Sequence, residues 1–175
     1  MSAEHTPPLL AFVAASGTGK TTLLEQIIPL LRSRGLRLAV IKHTHHDFDI
    51  DRPGKDSYRM RDAGARQVMV ASRRRWALLT EHPDGRAEPC LEELVAALDR
   101  AALDLILVEG FKHEAVNKIE LHRPTLGKPP LFPHDPQIIA VACDAPPDIP
   151  TPLPLLDLND PPAIAAFVLR HIGRQ

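Results

Sequence analysis

The chain has 175 residues, 44% of them hydrophobic, and a formal net charge of −1 at pH 7. This length predicts a single domain, 1–175, that is large enough to bury an apolar core. The nearly neutral charge argues against a protein that holds nucleic acid through bulk charge, and no apolar run approaches the ~20 residues of a membrane span.

The first elements form a strand–helix–strand pattern. Leu9–Ala14 (LLAFVA) is apolar without alternation, as in strands that are buried on both faces of a parallel sheet. Leucine and isoleucine then recur with helical spacing over Lys20–Ser33, and Gly35 follows as a helix-ending residue. The next apolar run, 38–42 (LAVIK), is predicted to be the second strand of a βαβ unit.

The middle of the chain alternates between short helical and extended patterns. Residues 44–57 are polar, carry Pro53–Gly54 and are predicted to form a loop. The elements predicted after this loop are a helix at about 55–63, strands at 67–72 and 76–80, a helix around 91–98 and a strand at 103–110.

The last third combines two strands, a proline-rich stretch and a helix. KIELH (118–122) alternates like a half-exposed strand, whereas IIAVAC (138–143) is of the buried type. Prolines crowd the region 123–154, which predicts loops, and Asp160 is the expected N-cap of a helix over 161–172. The alternation of strand and helix predicts an α/β fold, with a mainly parallel sheet flanked by helices and some antiparallel strands.

Residues 14–21 (AASGTGKT) match the phosphate-loop pattern G-x-x-x-x-G-K-[ST], except that Ala14 replaces the first glycine. Gly17 and Gly19 allow backbone N–H groups to turn inward around phosphate oxygens. Lys20 is expected to contact the β- and γ-phosphates, and the Thr21 hydroxyl to bind magnesium. The fold is therefore predicted to be of the P-loop NTPase type.

A phosphate loop needs a carboxylate at the end of another buried strand to serve the magnesium ion. Glu109 ends the run LILVE (105–109) and is the candidate, with a simple strand-capping role as the alternative. Asp104 lies at the opposite end of the same strand, away from the edge where ligands bind.

The densest polar segment, 42–57 (KHTHHDFDIDRPGKDS), follows the second strand. Three interpretations stay open: a switch loop that contacts magnesium and the γ-phosphate, a zinc or nickel site, and a solvated loop. The residues concerned are His43, His45, His46, Asp47, Asp49 and Asp51. No catalytic residue is assigned, although Asp47 and Asp49 are candidates.

Three weaker patterns stand outside these motifs. Ser72–Trp76 (SRRRW) is either a contact for an anionic partner or a solvated turn. Asn117–Glu120 (NKIE) mimics a guanine-reading motif but runs directly into a strand. Asp144 follows a buried strand, where a carboxylate could accept hydrogen bonds from guanine N1 and N2. No residue stands out as a positioner of attacking water, so we expect slow nucleotide hydrolysis.

Four stretches together resemble the MobB family of molybdopterin guanine dinucleotide synthesis. They are LLAFVAASGTGKTTLLEQIIPLL, VIKHTHHDFDIDRPGKDSYRMRDAGA, VASRRRWALLTE and LDLILVEGFKHEAVNKIEL. The likeness runs from Leu9 to about His122, with a looser match in IIAVACD and the last helix; the stretch from Arg123 to Pro154 departs most.

The resemblance implies a GTP-binding, weakly hydrolysing adapter protein that acts in the cytoplasm. Family members are homodimers and associate with the guanylyltransferase that joins GMP to molybdopterin; molybdopterin itself is a further candidate ligand. Thr21 and Glu109 would serve Mg²⁺, and 43–55 would be a switch-like segment. The phosphates would be bound by Ser16, Gly17, Thr18, Gly19, Lys20, Thr21 and Thr22.

Two functions of other classes remain as alternatives. A small-molecule kinase would use the same phosphate loop, with Arg59 and Arg61 in a lid. A metallochaperone GTPase would carry nickel or zinc on the histidine-rich loop. Cys90 and Cys143 form no CxxC pattern, so neither a disulfide framework nor a thiolate site is expected, and a reducing cytosol fits best.

Overall fold

The computed structural model describes residues 6–44, 48–82 and 88–174 of the chain. The chain divides into two compact units, Met1–His43 with Cys90–Gln175, and Thr44–Pro89. The smaller unit is therefore an insertion between two stretches that build the larger one. The expectation of one domain over 1–175 stays a prediction.

The larger unit contains a six-stranded sheet in which every neighbouring pair of strands is parallel. With strands numbered along the whole chain, it consists of β1 (Leu9–Ala14), β2 (Leu38–Lys42), β5 (Leu105–Glu109), β6 (Lys118–His122), β7 (Ile138–Cys143) and β8 (Leu155–Asp157). Their spatial order is β2-β5-β1-β6-β7-β8. This arrangement confirms the predicted α/β class with a mainly parallel sheet.

Helices cover both faces of this sheet, and alternate residues of β1 divide between the two cores. Leu10 and Phe12 pack in the core beneath α1 (Lys20–Ser33) and α4 (Pro161–His171). The core on the other face contains Ala11 and Val13 and is covered by a short helix, α3 (Leu91–Ala96). Two 3-10 turns complete the unit, at Arg100–Ala102 and Pro124–Leu126.

The predicted cap of the last helix is present, since Asp160 Oδ1 accepts a hydrogen bond from the Ala163 N–H at 3.0 Å. This bond satisfies one of the N–H groups that a helix start leaves without a helical partner. The helix around 91–98 and the strand at 103–110 were predicted slightly too long, because their ends lack a comparable sequence signal.

The prediction that 118–122 is a half-exposed strand is wrong, because all five residues of β6 are buried. This strand lies in the interior of the sheet, between β1 and β7. Its apolar residues, Ile119 and Leu121, point into the core that α1 and α4 cover. Its polar residues therefore lie on the opposite face, where burial requires hydrogen-bond partners.

The loop that precedes β7 provides those partners. Glu120 accepts hydrogen bonds from the backbone N–H groups of Leu131 and Phe132, at 2.7 and 2.8 Å. Lys118 Nζ donates to Asp135 Oδ2 at 2.9 Å. Lys118 and Glu120 of β6 thus anchor part of the proline-rich region. This explains why apolar and polar residues alternate in a strand that is buried on both faces.

The edge strand β8 was missed by the sequence-based prediction. It has three residues and lies within the proline-rich stretch, so it shows no run long enough to indicate a strand. Its alignment beside β7 is supported by the Val141 N–H, which donates to the Pro154 carbonyl at 3.0 Å.

The smaller unit consists of α2 (Asp56–Asp62) and a two-stranded antiparallel sheet, β3 (Gln67–Ala71) and β4 (Trp76–Thr80). In this hairpin Val68 pairs with Leu79, and Met69 pairs with Leu78. Val68 is buried, whereas Met69, Leu78 and Trp76 are 60%, 42% and 64% exposed. Because side chains alternate across a strand, Met69, Leu78 and Trp76 share one face of the hairpin, and Val70, which is also exposed, lies on the other.

Candidate functional site

The phosphate-loop residues form a tight turn between β1 and α1. Gly17 and Gly19 have φ angles of +83° and +101°, in the left-handed region that favours glycine. Thr18 is buried, and its hydroxyl donates to the Ala15 carbonyl at 2.8 Å. Ala14, which replaces the first motif glycine, ends β1 and has no positive φ. An alanine is therefore compatible with this position.

Lys20 begins α1, and its Nζ donates to the Ala14 carbonyl at 3.4 Å. Burial lowers the pKa of this ammonium; the Glu109 carboxylate opposes that effect, and the nearby Lys42 adds to it. The loop thus presents a partly desolvated cation beside the N-terminus of a 14-residue helix. An anionic ligand is favoured at such a place.

The structure brings together the two residues predicted to serve magnesium. The Thr21 hydroxyl donates to Glu109 Oε1 at 2.8 Å, at the carboxyl end of β1 and β5. Hydroxyl and carboxylate oxygens are the ligand type that Mg²⁺ prefers, so these residues fit that ion. Bound there, a magnesium ion would neutralise phosphate charge.

Lys42, which the sequence analysis did not select, lies at the same place. Its Nζ is 3.1 Å from Thr21 Oγ1 and 3.3 Å from Glu109 Oε2. Lys42 is the last residue of β2 and pairs in register with Glu109. Two lysines and one carboxylate leave this end of the loop with excess positive charge, which suits the phosphates of a nucleotide.

The two residues after Glu109 form a sharp turn. Gly110 has a φ of +97°, and a Cβ at this position would lie 3.0 Å from the His43 Cβ. Phe111 follows with a φ of +54°. Among the described residues it is the one non-glycine residue with a positive φ. Its ring stacks on His43 with centroids 4.7 Å apart. Only glycine fits position 110 without strain.

A second set of polar residues contacts the phosphate loop at Thr18. Arg123 follows β6, and its Nε donates to the Thr18 carbonyl at 3.0 Å. Its NH1 donates to Asp144 Oδ2 across a short ion pair. Asp144 Oδ1 is buried, and no donor in the described part of the chain reaches it. Arg123 was not selected from the sequence, although a polar residue directly after a central strand is the available signal.

A cavity of about 340 Å³ opens beside the phosphate loop at this point. Its lining combines backbone of the loop with side chains of α1 and of the segments after β6 and β8. The residues are Gly17, Thr18, Gly19, Thr22, Leu23, Gln26, Arg123, Leu158 and Asn159. A cavity next to the phosphate loop offers room for the nucleoside part of a nucleotide.

Residues 117–120, whose sequence mimics a guanine-reading motif, contact groups outside the phosphate loop. Lys118 and Glu120 anchor the loop before β7, at the beginning and middle of β6. The Asn117 amide contacts His171 Nε2 at 3.2 Å. These side chains therefore do not assemble with the phosphate loop.

The histidine-rich segment belongs mostly to the smaller unit. His45, His46 and Asp47 lie outside the described residues, so their roles stay predictions. Asp49 pairs with Arg61 at 2.8 Å, and Arg61 also donates to Glu81 Oε1 at 2.7 Å. The described part of the chain holds no group of three or more His, Cys, Asp or Glu residues arranged for a metal ion.

Arg61 therefore has carboxylate partners within its own unit. Its Cζ lies over the Tyr58 ring, 5.4 Å from the ring centroid. The Ser72–Trp76 stretch forms the turn of the β3–β4 hairpin, where Ser72 N–H donates to the Arg75 carbonyl at 2.8 Å. Its arginines are exposed.

The parallel sheet, the glycine turn, the helix that follows it and the Thr21–Glu109 pair define a P-loop NTPase-like protein. A family model described as "MobB: Molybdopterin guanine dinucleotide synthesis protein B" matches residues 9–144. The chain belongs to the MobB family. This membership assigns it to the biosynthesis of molybdopterin guanine dinucleotide.

Two curated relatives cover nearly the whole chain. A protein of Escherichia coli K12 is 52% identical over 176 residues, covering 100% of this chain and 99% of its own. One of Haemophilus influenzae is 47% identical over 161 residues, covering 92% and 87%. Both are named "Molybdopterin-guanine dinucleotide biosynthesis adapter protein".

Solved structures agree with this assignment. A crystal structure of molybdopterin-guanine biosynthesis protein B has a TM-score of 0.72 and 28% identity, and covers 93% of this chain and 99% of its own. A MobB homologue from Bacillus stearothermophilus, 24% identical with a TM-score of 0.70 over 94% and 97% of the chains, supports the fold alone. Among the residues described, no helix is long and apolar enough to cross a membrane.

Proposed function

We propose that the chain binds GTP with Mg²⁺ and serves as an accessory adapter when GMP is attached to molybdopterin. The observation that carries this proposal is the 2.8 Å contact between Thr21 and Glu109 beside the phosphate loop. A hydroxyl on the loop and a carboxylate on a neighbouring strand are what a nucleotide–magnesium site requires. The family membership supplies the pathway, and the name of the relatives supplies the adapter role.

Residues of the phosphate loop bind the phosphates in this proposal, with Lys20 at the β/γ end. Ser16 to Thr22 supply backbone N–H groups and hydroxyls, while Thr21 and Glu109 hold the magnesium ion. The nucleoside occupies the cavity of about 340 Å³, and Asp144 belongs to its base end through the pair with Arg123. Hydrolysis is slow, since the described residues include no evident positioner of attacking water.

The proposed partner is the guanylyltransferase that joins GMP to molybdopterin, and molybdopterin is a further candidate ligand. The site of action is the cytoplasm. The proposed assembly is a homodimer, supported by the apolar face that Met69, Leu78 and Trp76 expose on the hairpin. A two-stranded sheet is marginally stable by itself, and an exposed apolar face of this kind is typical of an interaction surface.

The nucleotide proposal is tested with a fluorescent guanine nucleotide displaced by GTP or ATP, with and without magnesium. We expect GTP to compete far better than ATP. Lys20→Ala should weaken GTP binding at least about tenfold, because it removes a charge-assisted contact worth roughly 1.5–3 kcal/mol. Lys128→Ala, at an exposed lysine outside the site, is the matched control. Unchanged affinity in Lys20→Ala would contradict the phosphate-loop assignment.

Glu109→Gln separates the metal from the phosphates. It should reduce the magnesium dependence of GTP binding more than the binding measured without the ion, because the amide is a poorer ligand for a hard cation. Equal magnesium dependence in variant and parent would move the carboxylate role elsewhere, to Asp47 or Asp49.

A further inference from the structure

Arg123 combines three properties that a base-reading residue needs. It lines the cavity beside the phosphate loop, its side chain is 31% exposed, and two contacts hold its guanidinium in place. One of these contacts is the Thr18 carbonyl at 3.0 Å, and the other is the Asp144 carboxylate. Arg123 is thus tied to the phosphate loop on one side and to the segment after β7 on the other.

The guanidinium group still has donors to offer. It carries five N–H groups in a fixed planar arrangement and accepts no hydrogen bond. The contacts with Thr18 and Asp144 use one N–H of Nε and one of NH1. Within the described part of the chain, no acceptor contacts the other NH1 hydrogen or either NH2 hydrogen. A ligand in the cavity therefore meets hydrogen-bond donors.

The chemistry of the bases then distinguishes between purines. Guanine presents two neighbouring acceptors, O6 and N7, which an arginine binds through two parallel hydrogen bonds. Adenine presents N7 as an acceptor but carries a donor amino group at the position of O6, which opposes an arginine N–H. A fixed arginine in this cavity therefore selects guanine.

Asp144 is less suited to direct contact with the base. Its Oδ2 is already paired with Arg123, its Oδ1 is buried, and it does not line the cavity. A carboxylate in this position orients the guanidinium.

We propose that Arg123 is the specificity-determining residue for guanine, binding O6 and N7 of the base, and that Asp144 is the positioning residue that holds it. This inference rests on the proposed function, because it concerns the base of the nucleotide assigned to this site. It replaces an expected contact of Asp144 with guanine N1 and N2 by a contact of Arg123 with the opposite edge.

The test compares base analogues by competition titration on the full-length chain. The probes are GDP, ADP, inosine diphosphate, which lacks the N2 amino group, and 7-deaza-GDP, which lacks the N7 acceptor; pyrophosphate reports the phosphate loop alone. We expect the parent to bind 7-deaza-GDP about tenfold or more weakly than GDP, and inosine diphosphate nearly as well as GDP.

Three variants complete the experiment. Arg123→Met should bind GDP and 7-deaza-GDP with equal affinity; the ratio of the two affinities isolates the N7 contact from the loss of the Arg123–Thr18 hydrogen bond. Arg123→Lys keeps a charge for Asp144 but cannot make two parallel bonds, so it should lose most of the N7 dependence. Arg32→Met, at an exposed position in the last turn of α1, should behave like the parent.

Contrary outcomes are equally clear. A parent that loses affinity for inosine diphosphate but not for 7-deaza-GDP would show that the N1 and N2 edge is read, which overturns the Arg123 assignment. So would an Arg123→Met variant that keeps the N7 dependence. If the parent binds pyrophosphate but binds GDP no more tightly than ADP, the proposed guanine nucleotide function is refuted instead.

Discussion

A single side chain, Lys42, puts an ammonium group beside both residues that we propose for magnesium. Its contacts with Thr21 Oγ1 and Glu109 Oε2 are 3.1 and 3.3 Å long. An ammonium at this distance and a divalent cation repel each other strongly, so the two compete for the same oxygens. The nucleotide-free protein is therefore expected to bind divalent cations weakly.

Lys42→Met should raise the affinity of the nucleotide-free protein for Mn²⁺ several-fold, because Glu109 loses its competing cation. Mn²⁺ is a spectroscopically visible substitute for Mg²⁺, and the free ion can be followed by electron paramagnetic resonance during titration. Lys128→Met is the control. The double variant with Glu109→Gln should return to the behaviour of the parent; a tightening that survives in it would place the metal elsewhere.

Asp104 directly precedes β5, at the end of the strand opposite Glu109. Its ion pairs make the stability of the folded chain depend on pH. Hydrogen bonds from the Arg37 side chain and backbone, together with the charge of Arg174, hold the pKa of this carboxyl far below its ordinary value. A lowered pKa in the folded state adds stability above the unfolded pKa of about 3.9, and this stability is lost as the pH falls towards the folded pKa.

The parent should therefore lose stability relative to Asp104→Asn as the pH falls below about 4. The measurement is urea unfolding of both proteins between pH 7 and pH 3, with Asp148→Asn, at an exposed position, as the control. Parallel curves for parent and Asp104→Asn over this range would show that the ion pair does not contribute.

Individual site residues differed in how well they could be predicted. The phosphate loop and Glu109 were predicted because each belongs to a pattern: a glycine turn between strand and helix, and a carboxylate that ends a buried run. Lys42 and Arg123 are single polar residues at strand ends. Their significance comes from the register of β2 with β5 and from the position of β6 beside β7, which local sequence does not encode.

At the scale of elements, β6 is the strand for which the sequence pattern predicted the wrong burial. Period-2 alternation normally indicates a face in water, because polar side chains are rarely buried. In this strand the polar face is covered by the loop before β7, whose backbone donors Glu120 satisfies. Burial raises the pKa of Glu120, and the two backbone hydrogen bonds oppose that effect.

Glu120→Gln should lower the free energy of unfolding by about 1–3 kcal/mol, because the amide nitrogen faces one of two backbone N–H groups that need an acceptor. Chemical denaturation near pH 7 measures this loss, and Glu25→Gln on the exposed side of α1 is the control. A variant as stable as the parent would mean that the loop reorganises without this anchor.

At the scale of the whole molecule, the alternation of strands and helices was sufficient to predict the α/β class. The insertion of a second compact unit between β2 and α3 was not predicted. The strands β3 and β4 were recognised from their composition, but a pattern of alternation does not say which sheet a strand joins. In the structure they pair only with each other among the described strands.

The proposed homodimer gives this hairpin a specific role. Replacing Met69 and Leu78 by Glu should convert the dimer to a monomer, since charges would then be buried in an apolar interface. Light scattering after size-exclusion chromatography measures the mass, with Arg73→Glu and Arg74→Glu in the turn as the control pair. A monomeric parent would refute the dimer, and a dimeric variant would place its interface on another surface.

The short edge strand β8 has a consequence for behaviour at high protein concentration. Open edges of a sheet invite pairing with further chains and so promote aggregation. Here the outermost strand has three residues and is preceded by Pro150, Pro152 and Pro154. Short edge strands are one way in which proteins limit such pairing. With only three residues, β8 leaves few backbone groups on this side of the sheet with which a further chain could pair.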